Sequence, residues 1–313
     1  MITDKQRKER MNYLGSTDMA AILGVSPWAN SYDVWLEKTG KVIMNKQSES
    51  LLAGSIFERS VLDWAEQKLG PLRRDEDDGK GGRQNIELKC IGFPIVDHPD
   101  ALVIKSGNPV EGKTAGLFGP LTENYGEGED ELPDRVIVQC HVHMLAANKE
   151  VCHVPVFLGG RGFVMYQVLW DEVIGNAIKD AALDFWECVE NDEPPANVVP
   201  SVEFAKKIKR EPNKIIEIDS ALVETWLENK DKVKWATAIL EDSVGAIFKA
   251  LGDAEAGTCT LGMVTYFMQS QKRIDSTRLK EEKPEIAKEY SKESKFRVLR
   301  LKRAKKEKFD MGI

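Results

Sequence analysis

Between residues 86 and 114 the apolar spacing changes from helical to alternate-residue, and that switch constrains the fold more than any other feature of the sequence. Ahead of it, Leu52, Phe57, Val61, Trp64 and Leu69 fall at helical spacing and predict a long helix over 48–69. The stretch 71–84 is charged and Gly-rich, which predicts an exposed loop. Ile86, Leu88, Cys90 and the run from Phe93 to Val96 then predict strands. Segments 101–105 and 110–114 flank the turn residues Ser106, Gly107, Asn108 and Pro109, predicting a hairpin. Residues 115–131 form a second Gly-rich loop. Pro133 opens a helix to about Asn148, a position that suits proline. Strands are expected at 151–158 and 163–169, and a helix at 171–190, before Pro194-Pro195. Two short helices, 16–23 and 31–38, precede all of this, stopped by Gly24 and Gly40. Such alternation predicts an α/β core of about 200 residues.

Beyond it, residues 200–212 read as a basic connector. A long helical stretch follows (Leu222, Trp226, Val233, Leu240, Val244, Ile247, Leu251), then a hairpin, a charged helix and a basic strand. The expected division is a core domain at 1–200 and an α+β accessory region at 201–313. A chain of 313 residues with 42% hydrophobic content can bury both. No apolar run approaches the roughly 20 residues of a membrane span, and the N-terminus lacks the apolar segment of a secretory signal. Cys90, Cys140, Cys152, Cys188 and Cys259 are scattered and form no CxxC pair. That pattern fits free thiols in a reducing cytoplasm better than a zinc or iron–sulfur site. The net charge of −7 conceals a split. Residues 1–200 hold 20 basic and 32 acidic side chains, whereas 201–313 hold 24 and 19. Acidic density is compatible with metal binding, and phosphate contacts require only a local basic stripe.

The chemistry-bearing stretch is HPDALVIKSGNPVEGKT, residues 98–114. Asp100 stands on one arm of the expected hairpin, and Glu111, Gly112 and Lys113 on the other. Strand residues two apart share a face, so Glu111 and Lys113 project together, and pairing brings Asp100 alongside. Converging carboxylates repel unless a hard divalent cation joins them through oxygen ligands. A lysine beside that cation can orient or deprotonate a water and stabilise phosphorane-like charge. The same residues also describe a surface hairpin with a Glu–Lys pair, and taken alone they leave both readings open.

Three further motifs flank it. They are GSTDMAAILGVSPWANSYDVWLEKTG at 15–40, Gly54-Ser55-Ile56-Phe57-Glu58, and LPDRVIVQCHVHMLAA at 132–147. In this order, over residues 10 to about 170, the four resemble the PD-(D/E)xK nuclease superfamily. Within it they resemble the YqaJ-type, lambda-exonuclease-like phage recombination nucleases. The resemblance implies a restriction-endonuclease-like core, with a central mixed β-sheet flanked by helices. It also implies digestion of duplex DNA from an end, 5′ to 3′, during phage recombination.

Carried onto these residues, the resemblance makes Asp100 and Glu111 ligands of Mg²⁺, with Mn²⁺ as a substitute and the Gly112 carbonyl as a third ligand. Lys113 becomes the water-activating residue, and Glu58 lies near the metal. Ser55 and Glu58 equally match a capping box. Gln139 assists at the active site and shares a helical face with Arg135 and His143, a polar stripe expected to face DNA or solvent. Arg10, Ser16 and Thr17 match the region that grips a terminal phosphate, although Ser16 is also a good N-cap. Implied partners are duplex DNA ends, a single-strand annealing recombination protein, and further copies of the chain in a ring trimer. The implied location is the cytoplasm of a bacterial host, with the protein encoded by a phage or prophage. Ala101 departs from the family's usual glycine, Gly112 from its usual apolar residue, and His141 and His143 from its glutamine or aromatics. Histidines two apart on a helix face different ways, so a shared metal site is not expected for that pair.

The last 42 residues carry 15 Lys+Arg against 8 acidic residues, with Tyr290, Phe296 and Phe309 interleaved. KFRVLRLKRAKK fits a strand tracking phosphates or stacking on unpaired bases, and fits equally an ordinary solvated strand. Two rival classes remain: a sequence-specific restriction-type endonuclease, and a non-catalytic DNA- or partner-binding protein on the same core.

Overall fold

A computed structural model of the chain describes residues 8–42, 49–74, 76–77, 83–84, 86–116, 125, 132–293 and 299–301. Most of the expected basic strand near the C-terminus lies outside them. The chain divides into two compact units, Met1–Arg210 and Glu211–Ile313.

Six strands form the central sheet of the first unit: β1 Leu72–Arg74, β2 Ala101–Val103, β3 Pro109–Val110, β4 Lys113–Ala115, β5 Val151–Leu158 and β6 Gly162–Leu169. Their order is β1-β2-β3-β5-β6, with β4 also paired to β5. The β1/β2, β2/β3 and β5/β6 pairs are antiparallel, while β3 and β4 run parallel to β5. The sheet is therefore mixed, and the expected α/β class holds. β1 falls in the stretch expected to be a loop. Buried Leu72, paired with Val103, anchors it, and one apolar residue among charges leaves no periodic trace. β3 and β4 follow one path along β5, broken at Glu111-Gly112. The Glu111 N–H reaches the His153 carbonyl at 2.9 Å. The next β5 donor to that path would be residue 155, which is Pro155 and has no N–H.

Five main helices surround the sheet: α1 Ser16–Ile22, α2 Ser31–Lys38, α3 Glu49–Leu69, α4 Asp134–Ala147 and α5 Glu172–Glu190. Alternation along β5 sends Cys152, Val154, Val156 and Leu158 to one face, where Val136, Cys140 and Met144 of α4 cover them. The other side of α4, through Val138 and Val142, packs on Met19, Val34, Ile178 and Phe185 of α1, α2 and α5. A separate cluster sets Leu62 and Ala65 of α3 against Leu72, Ala101, Val103 and Val110. Gly24 and Gly40, at φ +76° and +66°, end α1 and α2 in a conformation that a side chain would strain.

Residues 201–210 belong to the first unit instead of acting as a free connector. The Ser201 N–H donates to Asp33 Oδ1 at 2.9 Å, the Lys209 N–H to the Lys41 carbonyl at 2.8 Å, and Phe204 and Ile208 pack on the core. The second unit contains α6 Ser220–Leu251, a hairpin of β7 Ala256–Cys259 and β8 Gly262–Thr265, and two short helices, α7 Ser276–Glu282 and α8 Pro284–Glu289. All five cysteines are free. Among the described residues no helix is long and apolar enough to cross a membrane.

Candidate active site

The β2–β3 hairpin positions the carboxylates. Its register pairs Ala101 with Val110, so one step further Asp100 stands opposite Glu111. The Gly112 N–H donates to Asp100 Oδ2 at 2.8 Å, and the Lys113 ammonium to Glu111 Oε1. The parallel register sets Lys113 beside Val156, on the face that α4 covers, and strand alternation puts Glu111 there too. A Cβ on Gly112 would lie 3.4 Å from Val61 and 3.5 Å from Asp100 Oδ2. Helix α3 thus packs in van der Waals contact over this backbone, through Val61 and Leu62.

Burial, Glu111 and Glu58 push the Asp100 carboxyl well above the usual carboxylate range, against the opposing pull of Lys113 and the Gly112 N–H. Burial also pushes Glu111 up, but Lys113 and His143 hold it far below that range. Burial disfavours the Lys113 ammonium, yet Glu111 and Asp100 hold its proton more tightly than on a free lysine. Glu58 lies within reach of this charge cluster. It is three and four residues before Val61 and Leu62, the two α3 side chains that face Gly112. The capping-box alternative for Ser55 and Glu58 falls away, because α3 begins at Glu49 and both residues are interior.

His143 overturns an expectation. It does not face DNA: it is only 1% exposed and lies between two carboxylates. Its Nδ1 is 2.6 Å from Asp97 Oδ2 and its Nε2 3.0 Å from Glu111 Oε2. Both ring nitrogens therefore donate, which makes the ring an imidazolium. Burial opposes that charge, but Asp97 and Glu111 outweigh it and raise the pKa well above the ordinary histidine value. His141 faces elsewhere, as expected. Its Nδ1 donates to the Ile137 carbonyl at 2.8 Å and its Nε2 accepts the Asp171 N–H at 3.0 Å, tying α4 to the start of α5.

The remaining residues of the α4 stripe meet the N-terminal motif. Gln139 Nε2 donates to Thr17 Oγ1 at 3.3 Å, and the Arg135 guanidinium lies 5.1 Å from the centre of the exposed Trp28 ring. Ser16 is the first residue of α1, while Gly15 is its N-cap and donates to Asp18 Oδ2 at 2.8 Å. Arg10 sits in a 3₁₀ turn whose carbonyl accepts from buried Lys38 at 2.7 Å, and Lys38 also pairs with Asp18 at 2.7 Å. Asp97, Asp18, Lys38 and Trp28 are additions to the residues read from the sequence. The visible signals were a carboxylate ending the apolar run FPIV and a lysine four residues after Val34.

Among the described residues no three His, Cys, Asp or Glu side chains converge tightly enough to enclose a metal by themselves. The donor set here is smaller and harder: two carboxylates on opposed strands, with the Glu58 charge nearby. That set fits a cation which keeps several waters, as Mg²⁺ does, and suits poorly one that demands nitrogen or sulfur ligands.

Residues 5–150 match the YqaJ-like viral recombinase domain, in line with the resemblance read from the four motifs. The chain is also similar to the protein YqaJ of Bacillus subtilis (strain 168), at 26% identity over 319 residues, covering 96% of this chain and 95% of that one. Solved structures similar to it include the alkaline exonuclease LHK-Exo from Laribacter hongkongensis, with a TM-score of 0.45 and 12% identity, covering 61% of this chain and 94% of that one. Another is a phage related exonuclease from Haemophilus somnus 129PT, with a TM-score of 0.43 and 9% identity, covering 59% of this chain and 99% of that one.

Proposed function

We propose that the chain is a Mg²⁺-dependent exodeoxyribonuclease that digests duplex DNA from an end, 5′ to 3′, in phage-type recombination. One observation carries the reading: Asp100 and Glu111 oppose each other across a hairpin with the Lys113 ammonium on Glu111. The Asp100 and Glu111 carboxylates and the Gly112 carbonyl would hold the ion, and Glu58 its waters, with Mn²⁺ able to substitute. When bound, Mg²⁺ supplies Lewis-acid polarisation of the phosphate and lowers the pKa of a water. Lys113, whose proton Glu111 and Asp100 hold firmly, is suited to orienting the attacking water and stabilising charge on the phosphoryl oxygens. Gln139 with Thr17, and Arg135 with Trp28, would contact the DNA strand beyond the scissile bond. Arg10 and Ser16 would contact its terminal phosphate. A single-strand annealing recombination protein would receive the exposed strand, and the working form would be a ring trimer.

The test is the full chain with Mg²⁺ on 5′- and 3′-end-labelled linear duplex and on a supercoiled circle. Rapid release of the 5′ label with the circle intact is expected. A linearised or nicked circle would make the protein an endonuclease, and no cleavage in Mg²⁺ or Mn²⁺ would sink the nuclease reading.

A further inference from the structure

We propose that Asp97 and His143 are positioning residues that present Glu111 to the divalent cation in a single orientation, an inference that rests on Glu111 being a cation ligand. Asp97, His143 and Glu111 form a buried line, 0%, 1% and 7% exposed. Asp97 Oδ2 lies 2.6 Å from His143 Nδ1, and His143 Nε2 lies 3.0 Å from Glu111 Oε2. Core packing does not account for it. Charged groups buried between a sheet and its central helix are costly, and apolar residues of the same volume fill such space at least as well. The line is also incompletely satisfied, since Asp97 Oδ1 is buried with no hydrogen-bond partner among the described residues.

What the line does accomplish is to immobilise Glu111. With Nδ1 held by Asp97 the imidazole cannot turn about its Cβ–Cγ bond, so Nε2 keeps Oε2. Oε1, which accepts from Lys113, is thereby held in place as well. The carboxylate would then present its remaining lone pairs to the cation in one orientation, with Asp97 supporting the group that supports it. Hydrogen-bond partners of metal ligands typically contribute about 10–100-fold to metal affinity.

Calorimetric titration of the full chain with Mn²⁺, alongside thermal melts, tests this. His143→Leu, which removes the donor to Oε2, should weaken cation binding by about 10–100-fold. His143→Gln, whose amide can return an N–H to Oε2, should recover part of that loss, and Asp97→Asn should fall between wild type and His143→Leu. In cleavage assays the Mg²⁺ concentration for half-maximal rate should rise in the same order, with a smaller change in rate at saturating Mg²⁺. Equal cation affinity in wild type and His143→Leu, whatever the melting temperatures, would overturn the proposal. Should His143→Leu not fold, unchanged affinity in both His143→Gln and Asp97→Asn overturns it equally. If Asp100→Ala abolishes Mn²⁺ uptake while the His143 variants keep it, only the positioning role fails. A wild-type chain that takes up no cation defeats the nuclease reading as well.

Discussion

Burial pushes the Asp100 and Glu111 carboxyls up, but only Glu111 has a cation on each oxygen, and so the two neighbours end on opposite sides of the usual range. Asp100 relies on one backbone N–H and one lysine, set against Glu111 and Glu58. A divalent ion would restore the balance by adding positive charge where both carboxylates point. Asp100→Ala and Glu111→Ala should each reduce cleavage by about 10³-fold or more, because the charge stabilisation a bound metal provides is worth several kcal/mol. Circular dichroism should show the fold retained, and turnover near wild type in either variant would move the site elsewhere. Ca²⁺ accepts the same oxygens at longer, looser distances. Gel shifts in Ca²⁺ should therefore show a DNA complex, and the same samples should show no cleavage.

At the scale of elements, α1 and α2 are joined by a buried ion pair rather than by packing alone. Asp18 caps α1 through the Gly15 N–H and also accepts from Lys38 of α2, with side chains 9% and 4% exposed. Burial pushes the Asp18 carboxyl up, but Lys38 and Arg10 outweigh it, and the pKa lies below the ordinary aspartate value. Asp18→Asn strands Lys38 as an uncompensated buried charge, which costs on the order of 3–5 kcal/mol. Because the folded pKa is depressed, the stabilisation is present above the unfolded value near pH 4 and fades as pH falls through the folded one. Melting curves of wild type and Asp18→Asn should thus lie far apart at pH 7 and converge in acid. A constant gap would show that Asp18 acts only as a neutral cap.

For the molecule as a whole, the division between units decides where the chain can be cut. A chain ending at residue 200 loses the half-buried Phe204 and Ile208 and the strand-like bridge of Ile208 to Val42. At about 1 kcal/mol for each half-buried apolar side chain, that is roughly 2 kcal/mol, or on the order of 5 °C in melting temperature. Ending at residue 210 should spare both. The longer of the two truncations should melt like the first unit of the full chain, and equal melting of the two would mean that 201–210 adds nothing. Charge on the C-terminal segment is expected to bear on DNA affinity, not on chemistry. Replacing Arg300, Lys302, Arg303, Lys305 and Lys306 with neutral residues should flatten the salt dependence of DNA binding, since each phosphate contact contributes slightly under one unit of slope. An unchanged slope would place the DNA elsewhere.

Sequence alone determined the alternation of elements, the hairpin expected over 101–114 and the opposition of Asp100 to Glu111, because strand period and turn chemistry are local properties. It also carried the four-motif resemblance, since motif order along the chain needs no coordinates. Only the tertiary structure decided which way the 135, 139 and 143 stripe of α4 faces. The helical period groups those residues, but whether their shared face meets solvent or a carboxylate depends on what packs there. Arg135 and Gln139 meet Trp28 and Thr17, while His143 reaches Asp97, 46 residues away in sequence. Pairings of that range leave no periodic signal. The same is true of Asp18 with Lys38 and of β1 with β2, where a single buried side chain, not a pattern, secures the contact.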